Sequence, residues 1–358
     1  MNKFHADIFR TVNRPAFCFS RLRRRATAGT FARVKIAVAL ALLLCAMGGP
    51  VFHARAAPVE QMSFGGKAYL RLDQWARANG FSYRVQGKNV TLVNGARRLT
   101  FAADSKRMEF NGLLIVLSEA VRGVNGVPYL AALDLTTAIH PLLYPPKARA
   151  KTKIKHICID AGHGGKDIGE SNGREYEKKY TLLLAQELAT QLRKAGYTVC
   201  FTRTTDTYIE LPNRPDIARR RKADLFISLH FNSSGMGGAG VTGAETYCLT
   251  PAGASSTNAR GEGASNRNYE GNVHNGRNVV LAYEIQKAMV RDLQSEDRGV
   301  KRARYQVLRE ATMPAVLIEG GFMSNPGEAR NIYSAAWRAK LAAAIASGIN
   351  NYRRLIEP

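Results

Sequence analysis

Two histidines and two glutamates, between positions 163 and 319, each stand where an apolar segment ends or a helix begins. They occur in Ile159-Asp160-Ala161-Gly162-His163-Gly164-Gly165, Tyr176-Glu177-Lys178-Lys179, Ser228-Leu229-His230-Phe231-Asn232 and Leu317-Ile318-Glu319-Gly320-Gly321-Phe322. Two imidazoles and one carboxylate are the ligand types of a catalytic zinc, which keeps a fourth position for water. His163, Glu177 and His230 supply that set, and Glu319 is then a spare carboxylate able to move protons. Ligands so scattered meet only in a folded domain that carries the ends of several segments to one rim. In open α/β sheets that rim is the carboxyl end of the strands. Taken singly, each residue has a plainer role. A histidine after a strand is ordinarily a hydrogen-bonded structural residue, and a glutamate at a helix start stabilises the helix dipole. Glu175 is as good a candidate as Glu177 on this ground alone. The four together, in order, read as a site.

The pattern around them predicts alternating strands and helices from Ile154 onward. Ile154–Asp160, Tyr197–Thr202, Leu225–Leu229, Gly243–Leu249, Tyr305–Leu308 and Ala315–Ile318 read as strands. Lys178–Ala195, Leu211–Lys222 and Val279–Leu293 have helical spacing, and Ser334 caps a last helix with Trp337, Leu341, Ile345 and Ile349 on one face. Such alternation implies an α/β fold with a largely parallel or mixed sheet covered by helices on both faces. Ala252 to Asn278 interrupts it with a Gly-, Ser- and Asn-rich stretch, a length that inside a compact domain marks function or disorder. Glu262, Glu270 and His274 within it are candidates to approach the metal.

The N-terminus reads differently. Nine of its first 35 residues are Lys or Arg, then Ile36–Met47 is apolar, and Ala54-Arg55-Ala56 offers a small-x-small cleavage site. This is the order of a secretory leader over residues 1–56. An uncleaved anchor, a misplaced start and a twin-arginine signal at Arg23-Arg24-Arg25 are the alternatives. The whole chain carries 52 basic and 28 acidic residues. Losing ten bases and one acid with the leader leaves 42 and 27, about +15. Export argues against nucleic acid as the partner; an anionic envelope polymer or plain solvated surface accounts for the charge. Cys158, Cys200 and Cys248 remain, without metal-ligand spacing. They read as buried thiols, with a 158–200 disulfide as the alternative. Residues 57–145 form a small α/β module of short alternating strands (Ser82–Val85, Val90–Val93, Leu99–Ala102, Leu113–Leu117 and Val127–Leu130) with Gly-containing turns. A basic, Pro-containing linker at 146–153 separates it from the catalytic domain at 154–358.

The stretches IDAGHGGKDIG, YEKKYTLLLAQEL, TRTTD, ADLFISLHFNSS and RGVKRARYQVLREATMPAVLIEGGFMSNPGE, in that order, resemble the zinc-dependent N-acetylmuramoyl-L-alanine amidases of the amidase_3 type. The resemblance covers about 154–355. It implies that His163, Glu177 and His230 hold one Zn²⁺, that Glu319 is the catalytic carboxylate, and that the substrate is peptidoglycan. The bond cut would be the amide between N-acetylmuramic acid and L-alanine, in the periplasm or cell envelope, with an envelope activator protein as a further partner. Related enzymes carry a regulatory helix over the zinc, and 252–278 is too rich in Gly and Asn to form one. The 57–145 module resembles the N-terminal module of copper amine oxidases, which implies a wall-binding or spacer role. Asp160 is a candidate to orient a metal ligand, and Asn232, Arg203, Arg214 and Arg309 are candidates to contact substrate. A different zinc peptidase of the envelope and a noncatalytic wall-binding protein are the competing readings.

Overall fold

The computed structural model describes residues 58–148, 153–235, 238–258 and 262–358. The expected leader and part of the linker lie outside these residues. Eleven strands make one sheet. In chain order they are β1 (Ser82–Gln86), β2 (Asn89–Asn94), β3 (Arg97–Ala102), β4 (Arg107–Phe110), β5 (Leu113–Val116), β6 (His156–Ala161), β7 (Thr198–Phe201), β8 (Leu225–Asn232), β9 (Ala244–Leu249), β10 (Asp297–Ala303) and β11 (Ala315–Phe322). Their spatial order is β7-β6-β8-β11-β9-β10-β5-β4-β3-β2-β1. Strands β7, β6, β8 and β11 run parallel, β9 opposes β11, and β10 runs parallel to β9. The expected α/β class, with a large mixed sheet flanked by helices, is what the structure shows.

Strands β6, β8 and β11 are apolar almost throughout because both of their faces are covered. Helices α1 (Glu177–Lys194), α2 (Asn275–Leu293) and α3 (Ala335–Ile356) share one core with Ile227, Val316 and Ile318. The residues alternating with these, Phe226, Ala315 and Leu317, enter a smaller core on the other face. That core also holds Ala218 from the Asn213–Arg220 helix and Leu308 from the Gln306–Arg309 turn of helix. Helix α1 buries Tyr180, Thr181, Leu184, Ala185, Leu188 and Leu192, one stripe at three- and four-residue spacing. The Ser334 hydroxyl accepts the Trp337 amide at 3.4 Å and opens α3 as expected.

Two sequence expectations need correction. Tyr305–Leu308 is not a strand; its place in the sheet is taken by β10, just before it, and Gln306–Arg309 is helical. Sequence DRGVKRA hides β10 because one of its faces looks into a cleft and carries charge. The second concerns where the sheet stops. Strands β1–β5 belong to the 57–145 segment, yet Ile115 of β5 pairs with Val300 of β10, so the sheet runs on through the expected boundary. The Asp297 carboxylate accepts the Leu114 amide at 2.7 Å across that seam, and Arg302 donates to the Thr137 carbonyl at 2.8 Å. A second, four-stranded sheet (Gln61–Phe64, Lys67–Arg71, Val127–Ala131, Arg122–Val124) completes the segment.

Gly299 makes the seam possible. Its φ is +85°, and a Cβ there would lie 2.7 Å from both the Leu114 carbonyl oxygen and its side chain. Gly299→Ala is therefore expected to destabilise the protein by roughly 1–3 kcal/mol, from left-handed strain plus a backbone clash. Chemical denaturation measures it; an unchanged midpoint would show that the two strands separate without cost.

Candidate active site

Strand β6 ends at Ala161, and the chain turns sharply through Gly162-His163-Gly164-Gly165. His163 itself has φ +60°, a left-handed conformation uncommon outside glycine. Two buried arginines hold the turn. Arg203 donates to the carbonyls of Ala161 at 2.9 Å and Gly162 at 2.8 Å. Arg214 donates to those of Ala161 and His163, each at 2.9 Å, and pairs with buried Asp160 at 2.9 Å. Thr202 and Ser228 hydroxyls donate to the same Asp160 carboxylate. Asp160 thus bonds Arg214, Thr202 and Ser228 and no side chain of the histidine–glutamate cluster, while the two arginines hold the carbonyls of the turn.

The turn brings His163 beside two other elements. Parallel pairing of β8 with β11 sets His230 directly opposite Glu319. Glu177 enters from the first residue of α1. His163 Nε2 lies 3.0 Å from one Glu177 oxygen, and His230 Nδ1 lies 3.0 Å from the other. The two ring nitrogens are 3.2 Å apart. The space for this is made by glycine: a Cβ on Gly162 would fall 2.3 Å from the His230 ring, and one on Gly169 would fall 2.5 Å from the Glu177 carboxylate.

Glu177 also accepts the amides of Glu170 at 2.9 Å and Phe231 at 3.1 Å. Burial raises its carboxyl, but the contacts with both imidazoles prevail and hold it well below the ordinary carboxylate range. For His163, burial works downward, while the Glu177 and Asp167 carboxylates win and raise it. Asp167, not Asp160, is the residue that meets a ligand's far nitrogen, at 2.9 Å from His163 Nδ1. This leaves Nε2 turned to the cluster. Glu175 stands apart from it, bonded to Lys179 at 2.8 Å and Tyr180 at 2.5 Å.

Glu319 faces the same cleft, a space of about 660 Å³. Its Oε2 is buried without a hydrogen-bond partner. Burial, then the Glu177 and Glu245 carboxylates, push its carboxyl well above the ordinary range. Glu245 escaped the sequence reading, although a lone charge inside the apolar strand β9 is a signal of its kind. Paired opposite Glu319 across β9 and β11, it accepts from Asn232 at 2.6 Å and from Tyr247 at 2.7 Å, and it forms an ion pair with Lys301. Asn232 is thereby fixed in the cleft wall. Tyr305 lines the wall too; burial and the Glu319 carboxylate push its phenol up to about 12, so it stays a proton donor at neutral pH.

Other candidates lie elsewhere. Arg309 stacks on the Tyr269 ring with 5.3 Å to its centroid and does not line the cleft. Glu262 bonds Ser256, Glu270 is exposed, and His274 Nε2 lies 3.0 Å from the Thr312 carbonyl oxygen, so none of the three joins the cluster. Among the described residues, the 252–278 stretch reaches the cleft only through Asn258. Cys158 and Cys200 face each other in register across β6 and β7, as free thiols.

Three metal-type donors and a partnerless carboxylate share one cleft at the carboxyl rim of an α/β sheet, and the three donors are placed so that they could hold a metal ion. Residues 157–351 match Amidase_3, N-acetylmuramoyl-L-alanine amidase. That is more than half of the chain, and the chain belongs to this family, whose members act on the peptidoglycan of the cell wall. It is 35% identical over 225 residues to the uncharacterized protein YqiI of Bacillus subtilis, covering 62% of this chain and 94% of that protein. It is 36% identical to the N-acetylmuramoyl-L-alanine amidase AmiC of Neisseria meningitidis, over 55% of this chain and 52% of AmiC. With AmiA of Escherichia coli it shares 31% identity, over 58% of this chain and 79% of AmiA. The chain thus spans only about half the length of AmiC. The crystal structure of an N-acetylmuramoyl-L-alanine amidase from Clostridium difficile 630 aligns with a TM-score of 0.47 at 32% identity, over 56% of this chain and 97% of that one.

The geometry separates the two glutamates by experiment. Glu177→Gln should lower bound metal strongly, while Glu175→Gln should leave it near stoichiometric by elemental analysis. The opposite pattern moves the ligand to Glu175. Asp167→Asn is expected to weaken metal affinity by about 10- to 100-fold without unfolding the protein.

Proposed function

We propose that this protein is an exported, zinc-dependent N-acetylmuramoyl-L-alanine amidase that cleaves the amide between N-acetylmuramic acid and the L-alanine of the stem peptide. One observation carries the reading: His163 Nε2, His230 Nδ1 and the Glu177 carboxylate converge on one point beside the free carboxylate of Glu319. The donor set suits zinc. A tetrahedral site with bonds of about 2.0–2.1 Å has ligand atoms roughly 3.3 Å apart; the two histidine nitrogens lie 3.2 Å apart, and each is 3.0 Å from a different oxygen of Glu177. Residues on three separate elements have no structural need to gather so many polar atoms in a buried place.

When bound, zinc supplies Lewis acidity, lowering the pKa of water toward ~7 and polarising the scissile carbonyl. The remaining steps belong to the chain. Glu319 takes a proton from the attacking water and delivers it to the leaving alanine nitrogen. Burial and the neighbouring Glu177 and Glu245 carboxylates raise its pKa, which strengthens it as a proton acceptor. Asn232, held by Glu245, and the Tyr305 phenol offer a hydrogen-bonding wall opposite the metal ligands. Lys301 and Arg298 add positive charge to that wall, complementary to the carboxylates of a stem peptide. No described helix is long and apolar enough to cross a membrane; export rests on the leader at 1–56.

Mass spectrometry of products released from purified sacculi tests the reaction. Free stem peptides beginning with L-alanine, together with peptide-free glycan, are expected. Trimming within the peptide would favour a peptidase, and no product at all a wall-binding protein. Glu319→Gln should keep about one zinc per chain and lose roughly 10²–10⁴-fold in turnover. A folded, zinc-loaded Glu319→Gln enzyme working at near wild-type rate removes Glu319 from the mechanism.

A further inference from the structure

We propose that Tyr305 is a specificity residue of the cleft: its phenol donates a hydrogen bond to the carbonyl of the residue on the leaving side of the scissile amide, and the stem peptide lies over β9 and β10. The inference rests on the amidase reading and gives the substrate a direction. Strand order supplies it. His230 on β8 stands opposite Glu319 on β11 from one side, and Glu245 on β9 stands opposite it from the other. Tyr247 of β9 pairs in turn with Lys301 of β10. The cleft therefore runs from the histidine–glutamate cluster, past Glu319, to Tyr305 just beyond the end of β10. The scissile bond has an order of its own. Its acyl carbon belongs beside the cluster and its nitrogen beside Glu319, which delivers the proton. The peptide hangs on that nitrogen, so it points away from the cluster, toward β9 and β10.

Tyr305 is the donor that this wall leaves unused. The Tyr247 hydroxyl donates to Glu245 at 2.7 Å, and Lys301 forms an ion pair with the same carboxylate. Arg298 donates to Glu245 at 3.4 Å and to the Thr242 carbonyl at 3.3 Å, and Gln306 donates to Glu310 at 3.0 Å. Tyr247 sets the Tyr305 ring edge-on, with centroids 5.2 Å apart. Burial and then the Glu319 carboxylate keep the phenol protonated, against the Asn258 amide, which acts on its oxygen as a donor. Among the described residues no group accepts the phenol's own proton. A half-buried donor gains most from an acceptor that arrives with the substrate. The first acceptor beyond the scissile nitrogen is the carbonyl of the residue that carries it. Asn258 bounds this end of the cleft. Its neighbour Thr257 is pinned to β10 by its amide, which donates to the Arg302 carbonyl at 2.8 Å, and by its hydroxyl, which accepts the Arg302 amide at 2.7 Å. A peptide leaves the muramic acid as a single branch and fits a bounded recess. The glycan continues in two directions and is left to the opposite rim, where Leu211 is exposed.

Changing the phenol and the carbonyl in turn tests the contact. The zinc-loaded full chain and its Tyr305→Phe variant, which keeps the ring, are each given two substrates. One is N-acetylmuramoyl-L-alanine methyl ester; the other is its alaninol methyl ether analogue, which differs only in lacking that carbonyl. Rates are read as kcat/KM or, for a slow compound, as inhibition of sacculus digestion. Tyr305→Phe is expected to lose roughly three- to tenfold on the ester, the value of one neutral hydrogen bond, and less than about twofold on the ether. Tyr208→Phe, whose hydroxyl is bonded to Glu210 at 3.0 Å outside the cleft, should match the unsubstituted enzyme on both. Equal loss on the two substrates marks a structural tyrosine and overturns the contact, as does no loss on the ester. The unsubstituted enzyme alone gives a second reading, since it should prefer the ester by at least the same factor. Absence of that preference overturns the contact even if Tyr305→Phe fails to fold, which thermal unfolding reveals. An unsubstituted enzyme that releases no stem peptide from sacculi overturns the amidase reading and this inference with it; full release with an indifferent Tyr305→Phe overturns the inference alone.

Discussion

Strand β6 ends inside the protein, and its last carbonyls have nowhere to go. Those of Ala161, Gly162 and His163 would be buried acceptors with no ladder partner, a cost of about 1–3 kcal/mol each if left unmet. Arg203 and Arg214 meet all three with planar donor forks, and Asp160 balances the charge that Arg214 brings into the core. A buried pair of this kind adds little net stability. Breaking it is another matter, costing roughly 3–5 kcal/mol for the charge left behind. Typical domains have only about 5–15 kcal/mol in all. The metal-type cluster rests on this arrangement, because it holds His163 in a backbone conformation that a free chain would leave.

The same polar economy runs through the cleft. Each functional group is fixed by a neighbour that does no chemistry. Asp167 orients His163, backbone amides orient Glu177, and Glu245 orients Asn232. Among the carboxylates that line the cleft, Glu319 alone keeps a buried oxygen unmatched. A partnerless buried carboxylate is expensive, and among so many satisfied neighbours its exposure to the reacting centre is the feature that distinguishes it.

Much of this was legible in the sequence. His163, His230 and Glu319 could be read because each follows an apolar run, and the sheet's parallel order follows from strand and helix alternation. The arginines could not. Arg203 and Arg214 resemble solvated side chains in composition, and only the fold reveals that their targets are backbone carbonyls, which leave no trace in the residue pattern. Strand β10 was missed for a related reason. Arg298 and Lys301 look into the cleft while Asp297 and Arg302 bond backbone groups beside it, so Val300 and Ala303 are the only hydrophobic marks it carries. Glu177 and Glu175 differ by two positions at a strand-to-helix junction, and only the entry angle of α1 decides between them.

The seam at Val300 and Ile115 bears on how such a chain arises and persists. Without β5, strand β10 would present a row of unpaired amides and carbonyls, a template for pairing with any other extended chain. With it, the free edge moves outward to β1, a five-residue strand whose exposed side chains include Arg84 and Gln86. A catalytic half that ends in an open strand can accept a foreign sheet by backbone pairing alone, with one glycine for the close approach. Joining at the hydrogen-bond ladder covers the edge of β10 by the same contact that extends the sheet.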